Sequence, residues 1–464
     1  MKDAIELNVV QSMYDKIYDL LTYAPGGKKS RFDAQTTYIQ LVSPSKTLNS
    51  EDFANMVTPK NPNGTLEANN IFADLIGPVP LVSPDYEPSG TPSDGTYGMV
   101  VRANAIDEPD QKQLDLYNKA YKYLNQEVTI TDFLGNETKN IMATPIKENY
   151  DTNMVSYFTA LSGYRNAFNS YDMADTKQQR EWQANAPLLE AAVDKAWNTW
   201  RGQGASQVED AMAAIDHSIN SAVRGVLENS AKIYKDSQLA PLITGGAPWH
   251  LSYGLPSNWN SDANLYSELR IDSQNVKIDS KSKSIETGFG ASYKTGMWWL
   301  KKSISVEAGY SRKDEQSHTE AENISISMKL CPVQIVRPWF NALIFSMGGW
   351  FLDKGNPRGS ISKGNVLDSN NTIMTLLPVG FVAARDVTLS GFAKDEFERH
   401  MEQDISGGVS VGWGPFTFGG HYHQHDTEDH FEASYENGKV KVPGLQIIAW
   451  VNQIVPLSPP LNAP

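Results

Sequence analysis

One cysteine in 464 residues, Cys331, excludes any disulfide within the chain, and its place beside the apolar stretch 333–336 predicts a buried thiol rather than a nucleophile. No run of eighteen apolar residues exists anywhere, so no membrane-spanning helix is expected. Residues 1–21, MKDAIELNVVQSMYDKIYDLL, lack the basic start and unbroken apolar core of a secretory signal. A chain made in the cytoplasm is expected from this, with release by a non-classical route left open. Basic residues are outnumbered: 40 Lys and Arg against 54 Asp and Glu give a net charge of −14. With no basic block to offset it, that balance disfavours nucleic acid as a partner.

Recognisable enzyme signatures are missing too. Gly408, Ser410 and Gly412 fit the GxSxG spacing, but Val411 and Trp413 continue an alternating strand and Pro415 prevents the helix a nucleophile elbow requires. GGKKS at 26–30 lacks the order of a phosphate loop, and GFGASYKTG lies within an alternating stretch rather than before a helix. No catalytic residue and no cofactor is expected, and an enzyme ranks third among the functional classes.

What is present is globular: 40% apolar and 20% charged residues, enough for a substantial core. The fold class read from patterning is α+β, with a helical half over 1–245, a loop-rich insert at about 29–105, and an antiparallel β half over 246–464. Ile5, Val9, Met13, Ile17, Leu20 and Leu21 recur at helical spacing, and Pro25, Gly26 and Gly27 stop that helix. Within the insert, TTYIQLV and YGMVV read as short strands. A long antiparallel helical hairpin is expected over 176–236. Gly202 and Gly204 form its break, and Val208, Met212, Ile215, Ile219, Ala222 and Val226 form a heptad-like seam packing on the preceding helix.

Past residue 245 the period becomes two. Ile285, Phe289, Ala291 and Tyr293 alternate with Ser284, Glu286, Gly288, Gly290 and Ser292. Ile304, Val306, Ala308 and Tyr310 do the same, and after a charged tip so do Ile324, Ile326, Met328 and Leu330. These last two sets are expected to pair as one long hairpin, the membrane- or partner-reaching element. A second unit at 405–448 can be laid on a first at 284–336, since Tyr310 to Gln334 and His421 to Gln446 are separated by 24 and 25 residues. That suggests an internal duplication.

The second unit carries GGHYHQHDTEDH at 419–430, expected at a hairpin tip and its descending limb. His421, His423, His425 and His430 could gather one Zn or Cu ion. Alternatively, with Asp426, Glu428 and Asp429, they make a proton-sensitive tip, or they are a solvated turn.

The segments RPWF, LLPVGFVAARDV, GWGPF and PGLQIIAW with the PLSPP tail, within 324–460, resemble those of a set of bacterial and fungal proteins to which no function attaches. In architectural style the chain resembles β-pore-forming proteins, without the diagnostic motifs of the aerolysin-like or perforin-like families. Residues 301–310 have the length of a bilayer-crossing strand, about 9–11 residues. That resemblance implies an oligomer acting on a membrane surface. The competing expectation is a self-assembling tubule, sheath or lattice subunit.

Overall fold

A computed structural model describes residues 2–464 except 84, 85, 107, 109, 133, 243–245, 274–323, 393, 396, 399, 400, 402–410, 425, 426 and 443; for 2–8, 43, 44, 46, 411, 419–424 and 427–432 it describes the backbone alone. The α+β class holds, with helices concentrated before residue 240 and antiparallel strands after it.

The first helix, α1 (Lys2–Thr22), forms where the spacing places it. Val9, Val10, Met13, Ile17 and Leu21 are buried along one face. TTYIQLV opens β1 (Thr37–Leu48). YGMVV is helical instead, inside α3 (Ser93–Val100), which follows α2 (Leu66–Ile76). Its aromatic and β-branched residues favour a strand locally, but Tyr97, Val100 and Val101 lie three to four apart and all enter the core, so tertiary packing overrides propensity. The insert thus contains two helices that patterning did not reveal.

Five further helices build an α-rich lobe: α4 (Gln111–Leu124), α5 (Pro145–Asn169), α6 (Thr176–Gly202), α7 (Ala205–Ser218) and α8 (Val223–Asp236). Asp110 and Asp175 cap α4 and α6 through side-chain oxygens that accept backbone N–H groups two and three residues on. The long antiparallel helical pair is α5 with α6. Trp182, near the start of α6, meets Tyr164 and Phe168 near the end of α5, while Trp200 meets Tyr150 and Tyr157 near its start. Gly204, at φ 84°, supplies the left-handed residue that separates α6 from α7.

The seam is buried as expected at Val208, Ile215, Ile219, Ala222 and Val226, with Met212 half-buried. Two details differ from expectation. A 3₁₀ turn at Ile219–Ser221 splits the segment, and α7 packs along α4 more than along α6. On α8, Gly225 lets the helix approach α4 so closely that a Cβ there would lie 2.5 Å from Leu114.

The main sheet has eight antiparallel strands. Besides β1 they are β2 (Tyr253–Leu255), β3 (Ser267–Asp272), β4 (Ser325–Val336) and β5 (Leu376–Ser390), then β9 (Ser434–Glu436), β10 (Lys439–Val442) and β11 (Leu445–Ile454), the numbers between belonging to a small sheet described below. The order is β1–β11–β5–β4–β3. β10 follows β11 along one side of β5, and β2 follows β3 along one side of β4. One face of the sheet packs on α1, through Ile326, Met328, Leu330, Val382, Ala384 and Ile448 among others. The opposite face packs on α2 and Trp259, through Cys331, Val333, Phe381, Ile447 and Trp450.

Residue 245 therefore marks a change in secondary structure rather than a division between cores. β1 pairs with β11 across the whole chain length, and the helical lobe takes Trp339, Phe345 and Trp350 into its interior. Cys331 is 1% exposed as expected, and burial pushes its thiol up to about 12.

Candidate functional site

The strand ends nearest residue 273 form one straight rim. Asp272 pairs with Ser325, Ser325 with Ser390, Ser390 with Lys439, and Lys439 with Glu436. The Ser325 and Ser390 hydroxyls are 2.8 Å apart. Just beyond them, Ser273 N donates to Ile324 O at 2.8 Å and Ile324 N donates to Ser273 Oγ at 2.9 Å. The described chain thus stops at Ser273 and resumes at Ile324, on two strands bonded to each other. Residues 274–323, which include Ile304, Val306, Ala308 and Tyr310, lie outside the described residues.

The expected partners of those residues are placed. Ile324, Ile326, Met328 and Leu330 alternate as read, but all are 0–1% exposed in the core beneath α1. Over 325–330, β4 is paired on one edge by β3 and on the other by β5, so neither edge is free to take the 301–310 limb. This corrects the expected hairpin. The β4 set is a wall of the core.

A second departure from the same rim leads to the small sheet: β6 (Val411–Trp413), β7 (Phe416–Gln424) and β8 (Thr427–Glu432). Its root is fixed by a buried polar network. The Gln446 amide accepts from Thr417 N at 3.1 Å and donates to Thr417 O at 2.7 Å, while Thr417 Oγ1 donates to Ser45 O at 2.7 Å. Phe392, just past the rim, lies edge-on to Trp413 and Phe418, and its carbonyl accepts from the Tyr435 hydroxyl at 2.9 Å.

The histidine stretch occupies the hairpin where the sequence put it, with His425 and Asp426 at its turn outside the described residues. Backbone register sets His421 opposite His430 and His423 opposite Glu428. Directly opposed residues share a face, as do residues two apart. His421, His423, Glu428 and His430 therefore share one face of the ribbon, and Tyr422 with Asp429 share the other. By residue type such a set of nitrogen and oxygen donors suits Zn²⁺ or Cu²⁺. Pattern alone did not show that Glu428, rather than Asp429, shares the histidine face, because pairing register is a non-local quantity.

The duplication gains no support from the pairing. The first unit's return strand is central in the main sheet, whereas β7 and β8 form a ribbon of their own, although the aligned segments at 332–336 and 444–448 lie in the two strands that flank β5. Among the described residues with placed side chains, no group of three His, Cys, Asp or Glu is arranged to hold a metal, and no helix is long and apolar enough to cross a membrane. A cavity lined by Tyr97, Tyr117, Tyr121 and Trp339, which sequence patterning missed, lies in the helical lobe. Comparison with protein-family models, curated proteins and solved structures finds no match to this chain.

Proposed function

We propose that the protein is a non-enzymatic, oligomerising β-pore-forming protein whose membrane-active element is the alternating stretch carried between Ser273 and Ile324. One observation carries this reading. A stretch with two period-two runs, 284–293 and 301–310, begins and ends on a single hydrogen-bonded strand pair at the rim of a rigid sheet. Two limbs leaving such a pair can continue its antiparallel ladder, and each run has about the length that crosses a bilayer as a strand. One face of each run is mostly apolar and the other is polar, Ser and Gly with Glu286 in the first and Glu307 in the second, the pattern of a barrel wall. Acidic net charge disfavours attraction to anionic lipid, so neutral membranes are the expected target.

Assembly without lipid is the second reading, favoured by the outer edge of β8, which pairs with no strand among the described residues. An open edge is where another copy can add a strand. Dye release from liposomes, read with negative-stain microscopy with and without lipid, separates the two. Rings that need lipid, together with release, support the pore. Filaments in lipid-free buffer without release replace it with the structural subunit.

A further inference from the structure

The cavity in the helical lobe has a volume of about 610 Å³ and lies between α4, α7, α8 and residues 337–343. That is within the range, about 300–1,000 Å³, of sites that hold small organic molecules. Its walls are mostly flat and apolar, from Tyr121, Met212, Ile233, Phe340 and Leu343. Asn341 organises its polar groups. The Asn341 backbone N–H donates to the Tyr97 hydroxyl at 2.8 Å, and its Nδ2 donates to the Tyr117 hydroxyl at 3.1 Å and to Ser230 Oγ at 3.4 Å. Desolvation pushes Tyr117 up to about 12 and raises Tyr97 and Tyr121 as well, so all three phenols keep their protons. Tyr121 adds a third phenol to the lining.

The sign of charge comes from Arg337. It lies deep in the molecule, where desolvation lowers it to about 9, yet it keeps accessible surface because it lines the cavity. Its Nη1 donates to Pro378 O at 2.7 Å and its Nη2 to Ile76 O at 2.9 Å. Both partners are neutral, and no ion pair to Arg337 exists among the described residues. Asp94 offsets this charge only at a distance; a desolvated guanidinium without a directly paired carboxylate is costly, and a carboxylate is the planar anion that best matches its remaining N–H groups. At the lining's exposed margin Asp216 supplies the opposing charge, which disfavours ligands bearing more than one negative charge.

We propose that this cavity is a binding site for a small organic monoanion, a single carboxylate on an aromatic or short aliphatic frame. The carboxylate is drawn by Arg337, and the frame lies against the aromatic walls.

Calorimetric titration of the full-length protein with three probes of one shape, 4-phenylbutyrate, its primary amide and 4-phenylbutylamine, tests this. The carboxylate is expected to bind with a submillimolar Kd, at least about tenfold tighter than the amide and the amine. Arg337 also fastens Ile76 and Pro378, so its replacement risks the fold. Ala213→Trp, at an exposed lining position of α7, blocks the site instead and should weaken carboxylate binding at least about tenfold with an unchanged melting temperature. Equal or tighter binding of the amide or the amine would overturn the proposal. So would the absence of binding up to about 5 mM carboxylate, or undiminished binding by Ala213→Trp.

Discussion

Replacing Ile326 by alanine separates a core strand from a surface hairpin limb. Ile326 is 1% exposed, and its register neighbours Ile271 on β3 and Leu389 on β5 are 2% and 0% exposed, so three buried side chains meet in a row beneath α1. Ile→Ala removes three carbon groups at about 0.8 kcal/mol each, a transfer loss of about 2.4 kcal/mol. Neighbours fixed on paired strands cannot collapse fully into the gap, and the cavity left behind should bring the total to about 3–4 kcal/mol. Ile326→Val should cost about 1 kcal/mol. Urea unfolding followed by tryptophan fluorescence reads both as lower midpoints at an unchanged slope. Were the 324–330 limb a solvent-facing element awaiting a membrane, both variants would fall within about 0.5 kcal/mol of the parent. That outcome would refute the placement of β4.

Cys331, desolvated and held near 12, should not react with Ellman's reagent in the native protein and should react stoichiometrically in denaturant; rapid native labelling would contradict its burial. Gln446→Leu strips the root of the small sheet of its amide, taking the donor from Thr417 O and leaving Thr417 N only its 3.3 Å bond to Ser45 Oγ, a loss of about 1–3 kcal/mol measurable by urea unfolding; a neutral result would mean that the network is dispensable. His250 is buried between Tyr234 and Trp339, and desolvation lowers it below the usual 6.5 while Nε2 bonds the Tyr234 carbonyl at 2.8 Å. The unfolded chain takes up this proton first on acidification. The contribution of His250 to stability is therefore full above about pH 6.5 and is lost as the pH falls from there through the folded value. Unfolding free energies of the parent and His250→Gln between pH 7.5 and 5 should converge on acidification, and parallel profiles would refute the assignment.

Local signals carried much of the architecture. The α1 face from Val9 to Leu21, the strand TTYIQLV, the break at Gly202–Gly204 and the burial of Cys331 all depend on neighbours a few residues apart, and all are where patterning puts them. YGMVV misled because β-branched and aromatic residues serve a buried helix face as well as a strand. The pairing of 324–330 was legible as alternation but not as partnership. β3 supplies one neighbour and β5 the other, and nothing in a period-two pattern names which strand lies alongside. The same limit applies to the histidine ribbon, where composition was plain and the shared face of His421, His423, Glu428 and His430 came only with register. The aromatic cavity could not be read at all, since its walls span residues 97 to 343 and meet only through packing.

The pore proposal stands or falls on residues 274–323. Because Ser273 and Ile324 are already hydrogen-bonded, residues 274–323 can be exchanged for a two-residue Asn-Gly turn that closes β3 and β4 as an ordinary hairpin. Dye release from neutral liposomes, measured side by side for the full chain and this shortened chain, is the direct measurement. The account predicts release by the full chain, none by the shortened one, and the same melting temperature for both. Equal release by the two chains, or none by the full chain, would contradict it.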